Sequence, residues 1–220
     1  MRAADTTRRA VDAIARALAL PEEGGPTLGR VFVAALVVLF AFEAVTGLLL
    51  ALTYVPSPTD AWASVFFLDR VVTGGWMLRG LHHYAGQAML VVLACHLVAV
   101  AAAGAYRGVG RRSWWAALGL LALLLGLLIT GHRLPWDQNT YWALQVELNL
   151  AGAVPVIGQP LRRLVLGGPD AGKLTLTRLY ALHALFLPLA AWWLLRRVRD
   201  GGPVEGARQL PGWVAPAAVW

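Results

Sequence analysis

Residues 76–106 read WMLRGLHHYAGQAMLVVLACHLVAVAAAGAY, an apolar run with one charged residue, Arg79, and three histidines, His82, His83 and His96. A run of about 20 apolar residues is long enough to cross a hydrocarbon core of about 30 Å as a helix. Three more runs flank it. The first covers Val31 to about Val55, ended by Pro56 and Pro58. The third covers Trp114 to about Leu134, ended by Pro135, and the fourth, the shortest, about Leu174 to Leu195. Only helices whose backbone is satisfied internally, or closed barrels, cross a bilayer, and unbroken runs without alternation are helical. The expected fold is an all-α membrane protein, a bundle of four transmembrane helices.

Composition agrees. The chain has 220 residues, 58% of them hydrophobic and 14% charged, whereas soluble domains carry about 25% charge. The net charge of +7 does not imply nucleic acid, because the arginines lie in clusters between apolar runs, where they report orientation. Cys95 is the single cysteine, which excludes a disulfide framework, a CxxC pair, a cysteine-bound cluster and covalent haem attachment. Residues 1–20 set Arg2, Arg8, Arg9 and Arg16 among Val11, Ile14, Leu18 and Leu20, the pattern of an amphipathic helix lying on the membrane surface. The expected division is 1–25 surface helix and linker, 26–199 four-helix domain, and 200–220 short tail.

Four spans place both termini and the second connection on one side, with twelve basic residues, and leave seven on the other. The richer side is expected to face the cytoplasm, so the first and third connections face outward, the p-side. The first connection contains the turn-like PSPTD, and the third, about 40 residues, is expected to fold as short interfacial helices.

Polar residues inside spans are costly and usually functional. Here they are Glu43, His82, His83, His96 and His183. His82 and His96 are 14 residues apart, about 21 Å along a helix and about 40° short of four turns, so they share a face at two depths and His83 lies off it. His82 and His183 enter their runs from the same side at similar depth. Two imidazoles facing across a bundle bind a metal, and without further ligands haem suits the pair better than zinc.

The stretches RGLHHYAG and ACHL (79–97), TGHRLPWDQNTYWA (130–143), PVIGQPL (155–161) and LTLTRLYALH (174–183) resemble the N-terminal half of cytochrome b, most closely cytochrome b-six, over about residues 25–190. The resemblance implies a four-helix haem-binding bundle in which His82 and His183 ligate the p-side haem b. It implies that Gly47 and Gly131 let the haem edge approach, and that Arg79 lies near a propionate. His96 matches a ligand of the n-side haem. The family's arrangement departs at that depth. The partner position of His96 falls on Arg197 or Val198, the expected glycines are Val33 and Ala117, and an expected arginine is Ala99, although Trp114 matches. The fourth run looks about two turns short, which would remove the backbone carrying the missing ligand. One haem b is therefore expected, against a competing count of two; five-coordinate haem on His96 and a hydrogen-bonded remnant are the readings open for that residue. Glu43 stands where the family has glutamine, as a proton acceptor or a neutral hydrogen-bonded carboxyl.

The expected function is a membrane electron-transfer subunit of a quinol–cytochrome c or plastocyanin oxidoreductase in the plasma (inner) membrane, with quinone or quinol as the exchange partner. The resemblance further implies a subunit-four-like protein carrying the C-terminal half of cytochrome b, a Rieske-type iron–sulfur protein, a cytochrome c and a homodimer. The alternative is a non-redox membrane anchor or assembly subunit. A transporter would need a polar path, and the runs show none of the broken helices such paths use.

Overall fold

A computed structural model describes residues 28–102 and 111–200. The surface helix expected over residues 1–20, Arg107 and all of the tail but Asp200 lie outside the described residues. Among the described residues every element is helical. Four helices are long and apolar enough to cross a membrane: Gly29–Ala51, Gly75–Ala101, Arg111–Arg133 and Lys173–Arg199. They belong to α1 (Leu28–Ala51), α3 (Gly75–Ala102), α4 (Arg111–Arg133) and the composite of α7 (Lys173–Ala181), a π-helical turn (Leu182–Phe186) and α8 (Leu187–Arg199). Each leaves most of its surface outside the bundle; Val45, Leu48, Val91, Val98 and Leu189 are exposed, as an apolar solvent allows.

The connections add three helices. The third connection folds into α5 (Gln138–Gly152) and α6 (Gly158–Leu166). Asp137 caps α5 by accepting the Thr140 N–H at 2.7 Å, which explains why PWDQ turns the chain. The first connection contains α2 (Ala61–Arg70), an element that the turn-like PSPTD does not announce, because the ten residues after it carry no strong helix signal of their own. Tyr54 ties the two long connections together: its hydroxyl donates to the Leu134 carbonyl at 2.7 Å and its ring lies 5.3 Å from Tyr180. Burial, then the neighbouring Tyr180, pushes the Tyr54 phenol above its ordinary pKa, so it remains a donor.

The fourth span corrects an expectation. It is 27 residues long and helical through Arg199, so the backbone at 197 and 198 is present. Hydropathy stops at the arginines, but the backbone hydrogen bonds do not. Nor is this span a regular helix. Pro188 has no N–H, and its ring would crowd the carbonyl four residues earlier. The Leu187 N–H bonds to Leu182 O, five residues back.

α1 packs along α3, and α4 along α8. The main core lies toward the end where α1 begins and α8 finishes, hereafter the basic end. It joins Leu36, Leu93, Leu97, Ala117, Leu120, Leu195 and Val198, with Val33 packed against them. The opposite end carries the two long connections and is hereafter the loop end. There a smaller cluster, Leu144, Leu148, Leu166 and Leu179, seats α5 and α6 on α7.

Candidate functional site

The loop-end half of the bundle holds a histidine layer. His82 of α3 and His183 of the π-turn bring their rings to 6.2 Å between centroids, with planes at 80°. π-turns recur at functional sites because they reset the direction of one side chain. His83 is not part of that pair; it turns to His132 at 5.0 Å and to Gln87 at 2.9 Å.

Each ring is held through its Nδ1 by a threonine and one further acceptor. The His82 Nδ1 lies 2.9 Å from Thr46 Oγ1, and the Thr46 hydroxyl donates its own hydrogen to the Phe42 carbonyl at 2.8 Å. The Thr46 oxygen therefore accepts, and the His82 Nδ1 carries the hydrogen. Glu43 Oε2, also 2.9 Å from that nitrogen, is a second acceptor. The His183 Nδ1 lies 3.0 Å from the Leu127 carbonyl and 3.2 Å from Thr130 Oγ1, whose hydroxyl donates to Gly126 O at 2.7 Å. A carbonyl only accepts, so this Nδ1 is also the donor. The hydrogen bond at one ring nitrogen fixes the tautomer and leaves the lone pair on the other. Both Nε2 atoms are thus the lone-pair nitrogens.

The glycines complete the pattern. A Cβ on Gly47 would lie 3.0 Å from His82 Cε1, and one on Gly131 would lie 2.6 Å from His183 Cε1. Each ring thus lies over a glycine that follows its threonine. The Thr-Gly pair occurs on α1 and again on α4, and each pair receives one histidine. Sequence reasoning singles out Gly47 and Gly131 and misses Thr46 and Thr130, although TG at 46–47 and at 130–131 is the signal that points to them.

These residues fit a haem. Each imidazole has one nitrogen engaged by the protein and the other bearing a lone pair, the arrangement of metal-bound histidine. The two rings come from different helices and stand 6.2 Å apart between centroids. Glu43 Oε1 is buried without a hydrogen-bond partner, an acceptor the protein alone does not satisfy.

Arg79 lies at the loop-end start of α3. It forms a two-pronged pair with Asp69, at 2.8 and 2.6 Å, which joins α3 to α2. His96 lies in the basic-end core, buried, with Nδ1 unpartnered. On the fourth span, Val198 is buried while Arg197 lies over the Trp193 ring at 4.5 Å. Among the described residues the structure brings together the rings of His82 and His183.

Comparison with known proteins gives one result throughout. The sequence profile of the family described as Cytochrome b/b6/petB matches residues 27–196. The cytochrome b subunit of menaquinol:cytochrome c reductase from Bacillus subtilis is 36% identical over 70% of this chain and 69% of its own. The corresponding subunit of Geobacillus thermodenitrificans is 35% identical over 74% and 76%. Cytochrome b6 of Heliobacterium mobile is 38% identical over 68% and 70%. A chain of a hyperthermophilic respiratory Complex III shares the fold, with a TM-score of 0.71 and 23% identity over 92% of this chain. This protein spans only 56% of that chain's length. Haem b binding is what such kinship implies, and by profile match and relatives alike the chain belongs to the cytochrome b family.

Proposed function

We propose that the chain is the haem-carrying electron-transfer subunit of a quinol–cytochrome c or plastocyanin oxidoreductase-like complex, with one non-covalent haem b between His82 and His183. The observation that carries this reading is the paired imidazole geometry: two rings from facing helices, each with its Nδ1 hydrogen engaged and its Nε2 lone pair left for iron. Haem supplies one-electron redox chemistry when bound. The chain's part is to ligate through the two Nε2 atoms and to fix the rings through Thr46, Thr130 and the Leu127 carbonyl. Gly47 and Gly131 leave the helix surface bare beside those rings.

Several observations favour one haem over two. Ala117, Leu120, Leu195 and Val198 are buried in a continuous aliphatic core at the depth of His96. The fourth span carries no histidine beyond His183 to pair with His96. The reading keeps residues 26–199 as the haem domain, in the plasma membrane. Arg111, Arg112, Arg196, Arg197 and Arg199 at the basic end favour a cytoplasmic placement of that end and put His82 and His183 toward the p-side. Relatives named as menaquinol:cytochrome c reductase subunits support quinol as donor and a cytochrome c as acceptor; the resemblance adds a subunit-four-like protein, a Rieske-type protein and a second copy of this chain as proposed partners.

The test is haem b per polypeptide, measured as the pyridine haemochrome on the chain purified in mild detergent. One haem is expected, lost in His183→Ala and retained in His96→Ala. A colourless protein would make the chain an anchor or assembly subunit, and two haems would remove the single-site reading.

A further inference from the structure

The two ligand sets are alike except in one residue. Counting four back from each site glycine gives Glu43 on α1 and Leu127 on α4. At Leu127 only the backbone carbonyl serves His183. At Glu43 a side-chain carboxylate reaches His82 Nδ1 at 2.9 Å, beside Thr46 at the same distance. His183 is thus held by neutral acceptors alone, and His82 by a neutral acceptor and an acidic one.

The geometry points to Glu43 as a positioning residue that sets the redox potential of iron bound at His82, by holding the Nδ1 hydrogen with a carboxylate. This rests on the haem reading above. A carboxylate accepting from the far ring nitrogen pushes electron density onto the ligating one and raises its basicity. A more basic ligand favours the ferric over the ferrous state, which lowers the potential. The second oxygen supports the assignment. Glu43 Oε1 is buried with no partner, and an isolated buried charge inside a span is costly. Ferric iron in a porphyrin carries a net positive charge at the metal, so bound haem offsets that cost. The amide of a glutamine would accept the same hydrogen without the charge.

The experiment is a redox titration of the full chain with its native haem, wild type beside Glu43→Gln, with the low-spin ferric EPR signal recorded for each. Glu43→Gln is expected to keep its haem and to make reduction about tenfold more favourable, a rise of about 59 mV for a one-electron couple, with a displaced EPR signal. Glu43→Asp, which restores the charge, is expected to recover most of the wild-type potential. A Glu43→Gln midpoint within threefold of wild type, with haem retained and an unchanged EPR signal, overturns the inference and leaves the haem reading standing. If Glu43→Gln loses haem, Glu43→Asp decides: haem retained at the wild-type potential supports the role, and haem lost overturns it. A wild-type chain without haem removes the reading on which the inference rests.

Discussion

At the loop end of the bundle, α1 and α4 each present a Thr-Gly pair to a histidine ring. Fourteen residues away on the same helices, at the basic end, the positions corresponding to the glycines hold Val33 and Ala117. There the interior is mostly leucine, alanine and valine, with Met89 in the same cluster and His96 the buried polar residue of that half. The same four helices therefore build two unlike halves, and the difference lies in a few side chains and not in the backbone. The helix of the fourth span runs through both halves, to Arg199. What separates them is whether the facing positions offer lone pairs and bare backbone, or methyl groups that fill the gap. A polar pair in a bundle interior is costly unless a ligand uses it, so the polar half reads as the functional one and the aliphatic half as the one that holds the helices together.

Four substitutions probe this division of labour. The largest effect is expected from Gly131→Val. Its Cβ alone would sit 2.6 Å from His183 Cε1, and the branched side chain leaves the ring no room. Complete loss of haem absorbance with an intact helical circular dichroism spectrum is expected. Full haem content in this variant would show that the glycine is a packing convenience. Next is Leu195→Ala in the basic-end core, where the side chain is 1% exposed. Removing a buried leucine costs about 2–5 kcal/mol. Denaturant unfolding of the detergent-solubilised protein should register that loss while haem per polypeptide stays constant. If haem fell in step with stability, the two halves would not be separable.

Val198→His approaches the same division from the other side, since it supplies a second imidazole at a buried position of the fourth span. Burying an unpartnered polar group there costs about 1–3 kcal/mol, and no additional haem is expected, because Val33 and Ala117 still occupy the facing positions. A second haem signal in the redox titration would mean that the missing ligand alone erased the site. The smallest effect belongs to Thr130→Val. His183 keeps the Leu127 carbonyl at 3.0 Å and loses one neutral acceptor. A loss of about 1 kcal/mol, a few-fold in haem retention during dialysis against apomyoglobin, is expected. A total loss would place the burden of orientation on the hydroxyl rather than on the carbonyl.

Much of this architecture is legible in the amino-acid sequence. The spanning helices lie within a few residues of the apolar runs, because about 20 apolar residues have one low-energy arrangement in lipid. Rotation per residue alone distinguishes His82 from His83. Other features are hidden for definable reasons. Hydropathy underestimates the length of the fourth span, because arginines end the apolar signal without ending the helix. The partner of Arg79 is Asp69, ten residues earlier on α2, a helix that the first connection does not announce. Thr46 and Thr130 escape notice because a threonine in an apolar span usually bonds to its own helix, as both also do here. The π-turn has a visible cause in Pro188, but a proline does not say which preceding residue will be displaced, and here the turn includes His183.

Residue types and their order along the chain suffice for the inventory and its depth: four spans, a histidine in each of two of them at matching distance from the same side, glycines on the other two, and no second histidine on the fourth span beyond His183. These are properties of side-chain chemistry and of rise per residue along one axis. Three outcomes lie beyond that reach: which nitrogen each ring leaves free, which helix supplies each hydrogen-bond acceptor, and the service of Glu43 to His82 while His183 meets only neutral acceptors. They depend on how each helix is rotated about its axis and on the π-turn in the fourth span. That rotation is set by packing between helices, which no single segment contains.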